Sequence, residues 1–468
     1  MAATRPYTYY DFTQSICNVC LRRTDAKIVF QDGNVYMLKH CVQHGHQRSL
    51  IATDIDYYKR CRDYIKPGEM PAHFATKTHY GCPYDCGLCT DHEQHSCLTL
   101  IEVTDRCNLT CPTCYAESSP TAGRHRTLEE IERMFDIIVA SETEPDVVQL
   151  SGGEPTVHPD FFSILDMAKA RPIRHLMVNT NGVRIAKDRA FTERLASYMP
   201  GFEVYLQFDS FRAEVLTKLR GGDLRHIRSQ ALEHLNEFNV STTLVVTLER
   251  GLNDDEIGAI IEYALTQPCV RGVTFQPTQV AGRLDGFDPD KGRLTLTEVR
   301  QAIIDQSQLF TSEDLIPVPC NPDSLCMAYA LKLDDCTYPL TRLFSPEDII
   351  EGTRNTIVFE EEPVLRERAF KLFSTGNSIE AATNELQQLL CCLPQLDAPS
   401  LSYKNLFRVI IMQFLDPYIF DVRSVKRSCV HIVHPDGRII PFDTMNVLYR
   451  NEHLKTLETI QRERIEGR

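Results

Sequence analysis

The stretch LTLIEVTDRCNLTCPTCY, residues 98–115, decides how this chain folds. Its first half, 98–105, is a short apolar run bounded by polar residues and reads as a buried strand. Its second half sets Cys107, Cys111 and Cys114 immediately beyond that strand. The same spacing occurs in CPYDCGLC, at Cys82, Cys86 and Cys89, where no apolar run precedes it. In a reducing compartment such thiol triplets point to metal thiolates rather than disulfides.

Outward from that strand, apolar runs alternate with amphipathic stretches as far as residue 278. A helix is expected over 127–142, where Leu128, Ile131, Phe135 and Ile138 share a face and Thr127 and Glu130 have capping-box spacing. Strands at 146–152, 175–182, 203–210, 241–249 and 272–278 follow, separated by helices near 159–171, 188–198, 223–238 and 254–266. Buried strands joined by helices predict a parallel sheet with right-handed crossovers. The fold class is therefore α/β, with six β/α units arranged as a doubly wound sheet or a partial (β/α)6 barrel of TIM type. In either case the functional loops gather beyond the C-terminal strand ends. The second cysteine triplet, GGEP (152–155), NTNG (179–182) and Asp209 with Ser210 all fall there.

The 468 residues allow about three domains. Eleven of the 18 cysteines precede residue 115 and six follow residue 319, which predicts cysteine-rich modules flanking a cysteine-poor middle. The expected boundaries are 1–75 for a zinc-ribbon or rubredoxin-like module and 76–98 for an auxiliary-cluster segment, then 99–290 for the barrel and 291–468 for a mixed C-terminal domain. No apolar run approaches the ~18 residues of a membrane span, and the N-terminus MAATRPYTYYDF lacks a signal-peptide core. A cytoplasmic protein is expected, with peripheral contact to the inner membrane face left open. The formal charge of −14 argues against nucleic acid as a partner.

A four-iron, four-sulfur cubane takes four ligands. Cys107, Cys111 and Cys114 supply three, and no further cysteine occurs until Cys269. The fourth iron then has a distant or an exogenous ligand; a zinc knuckle or a ferredoxin-like cluster is the rival reading. CNLTCPTC followed by Tyr115 resembles the motif of the radical SAM superfamily. The resemblance implies a partial barrel whose open iron binds S-adenosylmethionine (SAM) and cleaves it reductively to a 5′-deoxyadenosyl radical that abstracts hydrogen. It also implies that Tyr115 belongs to the SAM site, that Gly152 and Gly153 hold the SAM amino group with Glu154 as charge partner, that Asn181 meets the carboxylate, and that Asp209 or Ser210 meets the ribose.

Around the barrel, Cys97 is the expected fourth ligand of an auxiliary 4Fe-4S cluster on Cys82, Cys86 and Cys89, with zinc as the alternative and His92 and His95 as bystanders. Cys17, Cys20 and Cys41 flank two alternating strands joined at Asp32-Gly33, as in zinc ribbons and rubredoxins. His44 or Cys61 completes that mononuclear iron or zinc site. Cys320, Cys326 and Cys429 suggest a second auxiliary cluster, closed by Cys336 or Asp443. Cys269, Cys391 and Cys392 read as core thiols.

From Cys17 to Arg450 the motifs resemble the tetraether lipid synthase group, whose members have also been linked to methylation of a pterin precursor. Archaeal members carry cysteine where this chain has Asp443. The resemblance implies carbon–carbon coupling of lipid alkyl chains, with apolar tunnel walls sought at 382–393 and 401–420. Its alternative is a radical methyltransferase acting on a pterin precursor. A non-catalytic iron–sulfur carrier or zinc scaffold is the reading from another class. Both enzyme readings call for an electron donor such as ferredoxin or flavodoxin.

Overall fold

The computed structural model describes residues 5–333, 337–342, 345–352, 405–450 and 453–465. The expectations placed on Cys336, Cys391, Cys392 and residues 382–393 lie outside these. Six strands, Leu98–Thr104, Val147–Gly152, His175–Thr180, Phe202–Gln207, Thr242–Leu248 and Val270–Pro277, pair in parallel in chain order. Helices connect them. The first, Leu128–Glu142, begins with the reciprocal Thr127–Glu130 cap and buries Ile131, Phe135 and Ile138 against the sheet. Between these six strands two helices escaped the sequence reading, Val183–Lys187 and Ala213–Arg220; the second ends at Gly221, whose φ of 84° is the left-handed stop that glycine tolerates.

The parallel run does not stop at six. Leu406–Met412, inside the stretch proposed as a tunnel wall, is a strand parallel to the sixth, and Val430–Val433 is parallel to the first. Antiparallel strands, among them Leu325–Lys332 and Ile439–Pro441, continue the sheet outside these two. Parts of the segment expected as a C-terminal domain thus extend both edges of the barrel sheet. This is a partial (β/α) barrel continued to eight parallel strands. The N-terminal module is a four-stranded antiparallel sheet, Thr8–Ile16, Arg23–Gln31, Asn34–Cys41 and Gly45–Ala52, of which only the middle pair was legible. The buried ammonium of Lys39 ties it to the C-terminal segment by donating to the carbonyls of Ile16, Pro417 and Tyr418. Among the described residues, no helix is long and apolar enough to cross a membrane.

Strand alternation sends one set of side chains to the helices and the other into the barrel. At the N-terminal end of the interior, Glu203 is fully buried and takes both its oxygens to the Arg408 guanidinium at 2.6 Å, with His175 at 3.3 Å. Gly272 makes room, because a Cβ there would stand 2.5 Å from the Arg408 carbonyl oxygen. Burial alone would raise the Glu203 pKa, but the guanidinium holds it well below the usual carboxylate range. The stability this pair contributes is present above the ordinary carboxylate pKa and is lost as pH falls towards the depressed one. Arg408→Leu strands the buried carboxylate and is expected to cost about 3–5 kcal/mol at neutral pH. In urea unfolding, the gap to the unsubstituted protein should shrink as pH falls through the ordinary carboxylate range, because Glu203 of the variant, without the guanidinium, takes up a proton while the ion pair of the unsubstituted protein loses its contribution.

Candidate active site and metal centres

At the C-terminal ends of the strands a cavity of about 140 Å³ is lined by Cys107, Cys111, Cys114, Tyr115, Gly152, Gly153 and Asn181. The cysteine loop is held from outside: Arg283 donates to the carbonyls of Cys111 (2.6 Å) and Ser118 (2.8 Å), and its backbone pairs with Cys114. The strand end carrying GGEP lies directly on the cysteine strand, with the Gly153 amide on the Thr104 carbonyl at 2.8 Å and the Glu154 amide on the Arg106 carbonyl at 2.9 Å. Only glycine fits this approach. A Cβ on Gly152 would stand 2.2 Å from the Thr104 oxygen, and one on Gly153 would stand 2.1 Å from the Arg106 oxygen. Tyr115 is packed edge-on against Phe442, with its hydroxyl 3.3 Å from Ser151. The Asn181 amide nitrogen donates to Asn108 at 2.6 Å and stands 3.9 Å from the Cys107 sulfur.

Three residues expected at the cofactor surface do other work. The buried Glu154 carboxylate accepts from Thr156, Thr180 and the Asn181 backbone, so it braces neighbouring strand ends instead of offering a charge to the cavity. Burial keeps its pKa raised against those hydrogen bonds. Asp209, with φ of 68°, is taken up bidentately by Arg220 at 2.8 and 2.7 Å. Ser210 turns away, donating to Glu256 and accepting from the Arg212 amide. The sequence reading missed Arg220. Its guanidinium lines the cavity and works against the burial that raises the Cys111 thiol pKa. Its signal was an arginine closing a helix that had not been recognised.

The rest of the wall was also missed. Gln149, Asn179, Gln207 and Gln276 line the cavity from four different strands, joined by Tyr205 and Thr247. The Asn179 side-chain oxygen is buried with no hydrogen-bond partner among the described residues. Leu98, Leu100, Met412, Phe414 and Val430 form the apolar part. The signal was present in the sequence as one amide in each of four strands, at Gln149, Asn179, Gln207 and Gln276.

Cys17, Cys20, Cys41 and His44 converge, all their ligand atoms lying within 4.8 Å of one another. Cys61 lies elsewhere, capping the helix Ile55–Arg60 beside Tyr57. Cys82, Cys86 and Cys89 surround one pocket together with Asp91 and His92. Cys97 does not join them but groups with Cys320 and Cys429 within 4.8 Å. The reason is register: Val430 pairs with Leu98, so the residues preceding those two strands are neighbours, and the Cys429 carbonyl accepts from the Leu98 amide. Cys326 leaves the expected cluster for the complementary reason. Its strand neighbours Leu325 and Met327 face one core, and Cys326 faces the other, against Tyr57 and Cys61. Asp443 is buried and accepts from the Leu415 amide and the Ser428 hydroxyl.

Comparison with known proteins follows the same lines. Residues 101–264 match a family described as the Radical SAM superfamily, and residues 9–53 match one described as the HMPTM N-terminal zinc ribbon domain. The 7,8-dihydro-6-hydroxymethylpterin dimethyltransferase of Methanocaldococcus jannaschii is 32% identical over 94% of this chain and 94% of its own. The GTP 3′,8-cyclase of Chlorobaculum tepidum is 31% identical over 38% of this chain and 53% of its own. The crystal structure of Streptococcus suis SuiB bound to S-adenosylmethionine aligns with a TM-score of 0.37 and 15% identity, over 44% of this chain and 46% of that one.

Gly153→Ala is expected to destabilise the protein by about 1–3 kcal/mol in urea unfolding, because the obstructing atom is backbone. Gly222→Ala, with nothing within 4 Å of the added carbon, is the neutral control.

Proposed function

The chain belongs to the radical SAM superfamily, and on that footing we propose that it is a methyltransferase acting on a pterin precursor. The observation that carries this reading is the ring of amides inside the barrel. A pterin presents a rigid edge of hydrogen-bond donors and acceptors, which Gln149, Asn179, Gln207 and Gln276 are chemically suited to meet. An alkyl chain in the same place would leave those amides desolvated, at about 1–3 kcal/mol for each buried group without a partner. The lipid-coupling expectation therefore gives way to its alternative. The likeness to the pterin dimethyltransferase over nearly the whole chain points the same way.

In this reading Cys107, Cys111 and Cys114 hold the four-iron cluster, and the residues present fit it: three thiols on one loop at a cavity with an open side. When bound, cluster and SAM supply the radical chemistry of the superfamily, which requires an external reductant. Gly152 and Gly153 let backbone approach the amino-acid end of SAM, and Asn181 stands beside Cys107 to meet its carboxylate. Glu154 and Asp209 act one step back, the first by fixing Asn181 and the second by fixing Arg220. Arg220 brings a positive charge to Cys111 and lies where the anionic end of a ligand would be favoured.

The anaerobically reconstituted protein, given SAM, dithionite and 7,8-dihydro-6-hydroxymethylpterin, should return a pterin heavier by one or two methyl groups. Gln149→Leu and Gln207→Leu should each raise the pterin KM about tenfold, as expected for one lost hydrogen bond of ~1.4 kcal/mol. Cleavage of SAM in the absence of pterin should persist in both variants and vanish in Cys111→Ala. Robust SAM cleavage with unmodified pterin, alongside coupled lipid chains in cell extracts, would overturn the assignment.

A further inference from the structure

Cys97, Cys320 and Cys429 come from three separate chain segments to one point at the closed end of the barrel, and the Cys320 and Cys429 sulfurs stand 3.0 Å apart. Three thiols leave a metal one ligand short of four. We propose that His95 supplies that ligand and that Glu142 orients it, making a Cys3His centre for iron or zinc. The His95 Nε2 atom lies 3.4 Å from the Cys97 sulfur. Its Nδ1 atom lies 3.0 Å from a Glu142 carboxylate oxygen, and the other Glu142 oxygen accepts from the Ser96 amide at 3.1 Å. Both side chains are almost wholly buried.

This is how ligating imidazoles are usually held: a carboxylate takes the proton of one ring nitrogen, fixing the tautomer and aiming the lone pair of the other at the metal. Glu142 is placed for the task at the end of the helix Leu128–Glu142. The other candidates are engaged. His92 and His431 face each other across 3.2 Å, with His92 also on the Ser428 carbonyl and His431 on the Ser96 hydroxyl. Asp443 gives one oxygen to the Leu415 amide and the other to the Ser428 hydroxyl. The centre is independent of what the mouth of the barrel methylates.

The test is metal and sulfide content of the full-length protein after anaerobic reconstitution with iron and sulfide, or with zinc. Cys429→Ala defines the loss that belongs to this centre. His95→Ala should lose the same complement, and millimolar imidazole or His95→Cys should restore it; Asp443→Asn should retain it. Loss of iron together with sulfide identifies a cluster, and loss of metal alone identifies a single ion. If iron is present, 15N-histidine labelling of a His44→Cys background, which removes the imidazole of the N-terminal site, should give a hyperfine coupling that disappears when His95→Ala is added. Full metal content in His95→Ala overturns the assignment. So does a loss that neither imidazole nor His95→Cys repairs, which marks a packing role, and so does a loss in Asp443→Asn. Pterin turnover enters none of these readouts, so failure here leaves the methyltransferase reading standing, and the reverse holds as well.

Discussion

The parallel pairing of Leu98–Thr104 with Val430–Val433 on one side and Val147–Gly152 on the other is the constraint on which the rest depends. A strand fixed on both edges has no freedom of register, since a slip of one residue would turn every side chain to the wrong face. Both thiol sites of the barrel are consequences of that fixity. Beyond the C-terminal end of the strand, the Cys107 loop meets the glycine pair of the next strand; before its N-terminal end, Cys97 meets Cys429. The same seven residues locate two groups of thiols at opposite ends of the sheet.

Charge inside the barrel is distributed by the same logic. The closed end is sealed by Glu203 and Arg408, a pair whose oxygens and nitrogens satisfy each other. The open end holds Asp209 and Arg220, where the guanidinium also lines the cavity. Between them lie neutral amides and aliphatic side chains. A polar ligand entering from the mouth meets hydrogen-bonding groups of graded strength without displacing a structural ion pair.

How much of this the sequence disclosed follows from the range of the interactions involved. Periodicity and capping are local, so the six strands and the helix Leu128–Glu142 could be read directly, as could the meeting of Cys107, Cys111 and Cys114 with Gly152, Gly153 and Asn181 at one mouth. Register between distant strands is not local, and that is why Cys97 was grouped with its sequence neighbours rather than with Cys429. Glu154, Asp209 and Ser210 sit in the right loops, but which way each side chain turns depends on partners such as Thr180, Arg220 and Glu256 from other elements. The polar lining of the cavity was also open to reading from the strands themselves. Gln149, Asn179, Gln207 and Gln276 each fall at a strand position whose side chain turns into the barrel, which the two-residue alternation alone could have shown.

The position of Val430–Val433 beside the first barrel strand has a consequence for synthesis on the ribosome. The six strands up to Val270–Pro277 emerge in spatial order and can assemble as they appear, yet the edge of Leu98–Thr104 waits until nearly the whole chain has been made. An unpaired parallel edge of that kind invites association with other chains. The thiols of Cys97 and Cys429 face one another across this last seam to close. A metal bound there acts as a rivet set after the seam is joined, so that loading reports that the late segment has docked correctly.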